Sequence, residues 1–241
     1  MSLTHWNPFS LAAQRKRLAA KVPEGPLKTL LKTPIPAPHF AIGETPLLAL
    51  DFETTAISAR TGELLSVGFV EINNLSISLG SSQHFLVKQE YQSVKGNKTK
   101  QHQHFTESAT IHQITAQESQ QGYPLAVVIE QLLHAMSGRV VVAHFAKIEQ
   151  SFLAKACKQL YGFAPIYPII DTLALAKKRL DQRQAAYDPS ALRLTNLRAS
   201  YQLPSHYAHN ALNDAVATAE LLLAELAHHH QDTTSLAKFL R

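Results

Sequence analysis

The stretch at residues 47–55, LLALDFETT, constrains the fold more than any other part of the chain. Leu47, Leu48, Ala49 and Leu50 form a short apolar run, which reads as a strand buried on both faces. Side chains alternate along a strand, so Asp51 and Glu53 leave on one face and Phe52 on the other. Two like charges at the end of a buried strand repel each other and are costly to take out of water. A divalent cation between them is the simplest compensation. Further carboxylates are therefore expected at this strand end.

The rest of the chain supplies a sheet for that strand to join. Strands are predicted over 63–72 and 76–87, connected by Asn73 and Asn74, which indicates an antiparallel meander. A helix is expected from about 124 to 136, then a buried strand over 139–143 that ends at His144. Ile148, Phe152, Leu153 and Ala156 next repeat at helical spacing. A short strand over 168–170 leads into a helix over 171–180, with Asp171 as its N-cap. Helices over 190–201 and 210–227 complete the pattern. Strands first, then strands alternating with helices, indicate an α/β fold with a mixed sheet covered by helices.

Both ends differ from this body. Residues 9–22 predict a short helix with a basic face of Arg15, Lys16, Arg17 and Lys21. Pro23, Pro26, Pro34, Pro36 and Pro38 are then expected to keep the chain extended up to the first core strand. The expected layout is a basic N-terminal arm over 1–44, a domain over 45–228 and a tail over 229–241. The arm reads as a surface segment packed along the domain, with a nucleic-acid contact or an organelle transit peptide as alternatives. The polar, basic stretch 88–103 reads as a solvated loop that a nucleic-acid phosphate would also suit. His228, His229 and His230 read as solvated surface.

Composition narrows the class. Of 241 residues, 45% are hydrophobic, enough for a sizeable core and too many for a disordered body. The formal net charge of +5 favours a polyanionic partner such as nucleic acid. Cys157 is the only cysteine, so a disulfide framework and a cysteine zinc site are excluded, and a reducing, cytoplasmic setting fits. No apolar run approaches the ~18 residues of a membrane span, so no membrane partner is expected.

Two positions are candidates to complete the acidic site. Glu149 follows the strand at 139–143 and lies in the first turn of the next helix. There it reads equally as a residue favoured by the helix dipole and as a third carboxylate ligand. Asp214 points away from the apolar stripe of Leu212, Ala215, Val216, Ala219, Leu223 and Leu226. Its neighbours Ala211, Ala217 and Thr218 are small, so this side of the helix is expected to pack closely and leave the Asp buried or partly buried. His209, five residues earlier, is expected in the preceding loop, able to swing over whatever Asp214 holds.

Taken together, Asp51-Phe52-Glu53-Thr54, AHFAKIEQSFL at 143–153 and His209-Asn210-Ala211-Leu212-Asn213-Asp214 resemble the three motifs of the DEDDh 3′→5′ exonucleases. That family includes the proofreading subunit of bacterial replicative DNA polymerase, ribonuclease T and oligoribonuclease. IHQIT at 111–115, IDTLALAK at 170–177 and LTNLRASYQLP at 194–204 support the likeness, which spans roughly residues 46–226. Glu149 stands where the family usually has Asp, Phe145 where Asn is common, Ile148 where Phe is common and Gln113 where Gly is usual.

The resemblance implies a ribonuclease H-like mixed sheet flanked by helices. It also implies two Mg²⁺ or Mn²⁺ ions held by Asp51, Glu53, Glu149 and Asp214, with His209 as general base. Asp51 is expected to bridge the metals, and Thr54, Phe52 and His112 to contact substrate. The implied activity releases nucleoside 5′-monophosphates from single-stranded DNA or RNA 3′ ends, with DNA favoured and a DNA polymerase as a further partner. The Glu in the second motif raises an alternative, a catalytically weakened exonuclease-fold module that binds nucleic acid or a polymerase. His144 reads as a hydrogen-bonded structural residue.

Overall fold

The structure is a computed structural model and describes residues 10–89, 121–183 and 186–240. Its centre is a five-stranded mixed sheet built from β1 (Leu47–Thr54), β2 (Leu64–Asn73), β3 (Ser76–Leu86), β4 (Val140–Ala143) and β5 (Ile169–Asp171). The spatial order is β3-β2-β1-β4-β5. β1, β2 and β3 form the expected antiparallel meander, while β4 pairs parallel with both β1 and β5.

Helices cover both faces. α1 (Leu11–Ala19), α2 (Pro26–Lys32), α3 (Leu125–Met136) and α4 (Lys147–Tyr161) lie on one side. α5 (Thr172–Gln182), α6 (Leu194–Ser200) and α7 (Ala211–His228) follow β5 in the chain. The alternation along β1 decides which residues face which layer. Leu48, Leu50 and Phe52 pack with Ile129, Leu132, Phe152 and Leu153. Leu47 and Ala49 pack with Ala219, Leu222 and Leu226 of α7. Asp51 and Glu53 continue the second series, so they leave the sheet on the side that α7 covers.

α2 departs from the extended connector that the prolines suggested. Pro26 occupies the first helical position, where its missing N–H would have no partner in the helix anyway and its fixed φ suits the turn. Leu27, Leu30 and Leu31 of α2 join the core with Ala19 and Val22. Arg15, expected on a basic face, is buried instead and ties the arm down. Its guanidinium donates to the carbonyls of Leu30 (2.6 Å), Ile166 (2.7 Å) and Thr33 (2.9 Å). An Arg can enter a core only when its donors find acceptors in this way.

The C-terminal residues also return to the body. Leu236 and Phe239 are buried in the α7-side core. Backbone bonds join Leu236 to Phe40 (2.8 Å) and Ala237 to Pro38 (2.8 Å). His228 and His230 are exposed, as expected, and His229 contacts Tyr201 at 3.3 Å. Among the described residues, no helix is long and apolar enough to cross a membrane. Most of the basic stretch 88–103, together with the IHQIT segment, lies outside the described residues.

Candidate active site

β1 runs on past the point where β4 pairs with it, since the parallel ladder extends only from Leu47 opposite Val140 to Ala49 opposite Val142. Asp51 and Glu53 therefore emerge at the carboxyl end of the parallel strands, beside the start of α4 and under the first turn of α7. Crevices outside the carboxyl ends of such strands are favoured ligand sites.

Asp51, Glu53 and Asp214 each place a carboxylate oxygen so that the three atoms lie within 4.8 Å of one another. Glu149 adjoins this group and is buried more deeply, at 2% exposure. Its carboxylate accepts from the backbone amide of Phe52 and from its own amide. Its Oε2 has no hydrogen-bond partner among the described residues.

The electrostatics are those of carboxylates crowded together at the edge of the core. Burial, then the charges of Glu149, Glu53 and Asp214, push the Asp51 carboxyl well above its ordinary range. Burial likewise raises Asp214, although the His209 amide and His206 oppose the shift. Glu149 is pushed up to about 8, with burial as the largest cause. A folded state that holds such a proton loses stability as pH rises from the ordinary carboxylate range through about 8. The metal-free protein is therefore expected to melt at a lower temperature near pH 8 than near pH 5.5. Mn²⁺, which competes with those protons, is expected to raise the melting temperature more at the higher pH. Thermal melts at both pH values, with and without Mn²⁺, check this. A Mn²⁺ shift that is no larger at the higher pH contradicts it.

Asp214 is set by the start of α7. Asn210 caps the helix, its Oδ1 accepting from Leu212 and Asn213 at 3.1 Å each. The Asp214 carboxylate accepts from the His209 backbone amide (2.9 Å) and faces His206 Nε2 (2.8 Å). The small residues Ala211, Ala217 and Thr218 are buried, so this side of α7 packs closely as their sizes implied. Close packing has a specific counterpart on the sheet. Gly68 sits opposite Asp51 in the β1–β2 register, and a Cβ there would overlap the backbone of Ala211 and Leu212.

His209 lies in the loop before α7, exposed and with φ of +69°. Buried Arg198 pins that loop to the helix by donating to Pro204 O (2.9 Å) and Ala217 O (2.8 Å), with Glu220 as its ion-pair partner at 2.7 Å. Sequence reasoning missed His206. Its only signal is a histidine eight residues before the key Asp, in a loop whose composition says nothing of direction.

The remaining expected residues fall in different places. The Phe52 ring is buried in the core, so its link to the acidic group is through the backbone amide given to Glu149. The Thr54 hydroxyl donates to Ala56 O (2.9 Å) and shapes the turn after β1. His112 lies outside the described residues. His144 is structural, its ring nitrogens meeting Thr172 Oγ1 and Leu192 O at 2.9 Å each. Asp171 caps α5 through Ala174 N (3.3 Å) and also accepts from the Phe145 amide (3.1 Å).

Comparison with known proteins agrees with this architecture. DNA polymerase III PolC-type of Thermotoga maritima is 28% identical over 181 residues, covering 75% of this chain and 12% of that protein. The PolC-type polymerase of Caldanaerobacter subterraneus is 26% identical over 186 residues, covering 76% and 12%. The chain thus spans only about an eighth of these relatives' length. Among solved structures, E. coli exonuclease I in complex with a dA16 oligonucleotide superposes with a TM-score of 0.61 at 12% identity, covering 76% of this chain and 41% of that one. Cell-death related nuclease 4 gives 0.59 at 18% identity, covering 79% and 66%. These likenesses establish a shared fold, the ribonuclease H-like mixed sheet flanked by helices. The Exonuclease family (RNase_T) matches residues 48–222, nearly three quarters of the chain, and the protein belongs to that family.

Proposed function

We propose that the protein is a metal-dependent 3′→5′ exonuclease acting on single-stranded DNA ends. The observation that carries this reading is the convergence of Asp51, Glu53 and Asp214 within 4.8 Å, with buried Glu149 against them. Burial and neighbouring charge push the Asp51, Glu149 and Asp214 carboxyls above their ordinary range, which fits a place built to be neutralised by cations. Asp51, Glu53, Glu149 and Asp214 would hold two Mg²⁺ or Mn²⁺ ions, for which oxygen ligands are suited. When bound, such a pair stabilises charge on the attacking and leaving oxygens of an in-line phosphoryl displacement.

The chain's own groups do the rest. His209, on an exposed loop, takes the proton of the attacking water as general base, through a ring nitrogen. Water attacks the terminal phosphodiester phosphorus, the bond to O3′ of the preceding nucleotide breaks, and that leaving oxygen takes a proton from solvent. The shortened strand keeps a 3′-hydroxyl, and a nucleoside 5′-monophosphate leaves. His206 orients the Asp214 carboxylate from behind, as outer partners of ligands do. Thr54, at the end of β1, would border the terminal nucleotide, whereas the Phe52 ring is turned into the core and would serve only through its backbone. The preference for DNA and a tie to a polymerase draw support from the PolC-type relatives.

The second reading, a weakened module that binds nucleic acid or a polymerase, is favoured by one observation: Glu149 is longer than the usual Asp, is buried and lies outside the close trio. Glu149→Asp separates the two. An active native site predicts nucleotide release within about 10-fold of wild type, a difference of ~1.4 kcal/mol in the barrier. A gain of roughly 100-fold or more would mean that the native residue cripples turnover and would favour the second reading.

A further inference from the structure

Phe145 occupies the short connection between β4 and α4. It has φ of +66°, a backbone conformation that bulky side chains rarely adopt, and its ring is 38% exposed. Non-glycine residues held this way persist only where surrounding contacts determine them, and they gather at functional sites. The contacts here are specific. The Phe145 amide donates to Asp171 Oδ1 (3.1 Å), and its carbonyl accepts from Ile148 N (3.1 Å). The preceding His144 is fastened by both ring nitrogens, and the following Ala146 is fully buried. An exposed aromatic ring is thus held on a rigid base.

Its position gives it a use. Phe145 lies two residues beyond the end of β4, and its amide is held by Asp171 at the end of β5, so it sits at the carboxyl end of the parallel strands, the end from which Asp51 and Glu53 also emerge. Glu149 lies one helical turn further along. Phe145 therefore presents an exposed apolar side chain at the end of the sheet where the carboxylates converge. Acidic groups with cations serve a phosphate; they offer nothing to a nucleobase, which seeks a flat apolar surface.

We propose that Phe145 is a stacking platform for a base at or next to the 3′ terminus of a single-stranded nucleic acid. It would supply affinity that is tolerant of base identity, since every base has a π-face. The inference rests on the exonuclease reading and names how that site holds its substrate.

The test measures binding of a 5′-labelled single-stranded oligodeoxynucleotide by anisotropy in Ca²⁺, and KM and kcat in Mn²⁺. Phe145→Ala is expected to weaken binding and raise KM roughly 5- to 100-fold, with kcat within about 3-fold of wild type. Phe145→Tyr restores both. Phe145→Gly removes the ring and relieves the positive φ, so it weakens binding equally while the melting temperature holds or rises. On an oligonucleotide whose 3′-terminal nucleotides are abasic, wild type loses the same factor and Phe145→Ala loses nothing more. Unchanged binding by Phe145→Ala, or a gap between Phe145→Ala and wild type that is as large on the abasic strand as on the intact one, overturns the stacking role and leaves the exonuclease reading intact. Wild type that neither binds nor cuts any oligonucleotide overturns both.

Discussion

Asp51→Asn is expected to reduce nucleotide release by roughly 10³-fold or more, because the charge stabilisation of a two-metal site is worth several kcal/mol. The same change is expected to make the metal-free protein more stable. Asp51 is raised by burial and by three neighbouring carboxylates, so removing its charge relieves repulsion that Glu53, Glu149 and Asp214 share. An increase of roughly 3 °C or more in the melting temperature follows near pH 8. Mn²⁺ should then add less than it does to wild type. The paired signs distinguish a functional cluster from a structural one. A merely structural Asp would lose stability when neutralised, and a bystander would change neither quantity. Nucleotide release and melts on the same preparation supply both readings.

Gly68→Ala is the second large effect, and it acts through position. The new Cβ would meet the backbone of Ala211 and Leu212, which unlike a side-chain tip cannot turn aside. Overpacking of this kind costs about 3 kcal/mol, a melting temperature lower by roughly 6–12 °C for a chain of this length. What must shift is the start of α7, which carries Asp214 and follows His209, so activity should fall more than the folded fraction does. Gly80→Ala on β3 is the control. A Cβ there has nothing within 4 Å, and its effect should stay within about 0.5 kcal/mol. Gly68→Ala with wild-type stability and rate would contradict the close approach of α7 to the sheet.

Much of the fold was legible because the local signals agreed with one another. Period-two alternation in β1 placed Asp51 and Glu53 on one face, and the structure turns that face toward α7. Small residues around Asp214 signalled a second packed side on α7, and Ala211, Ala217 and Thr218 are buried there. The antiparallel meander and the buried strand after it followed from turn residues and apolar runs, while the parallel pairing of that strand with β1 is a finding of the structure.

What escaped the sequence depends on long-range partners. The proline-rich connector contains α2 because Pro26 starts a helix rather than ending one, and three leucines find the α3 side of the core. Arg15 looked like a surface cation, yet its acceptors include Leu30, Thr33 and Ile166, the last 151 residues away. His206 reaches Asp214 only through a loop whose path Arg198 fixes. Gly68 was readable in principle, since a glycine inside an apolar strand often marks another backbone passing close by. Which backbone passes, however, is tertiary information.

The most direct test of the central claim follows one single-stranded DNA oligonucleotide carrying different labels at its two ends, incubated with the protein and Mn²⁺. The 3′ label is expected to be released first as a mononucleotide while the 5′-labelled strand shortens through a ladder. EDTA should stop both, and Asp51→Asn should show neither. Release of the 5′ label first, internal cuts without a ladder, or degradation that survives EDTA would contradict it.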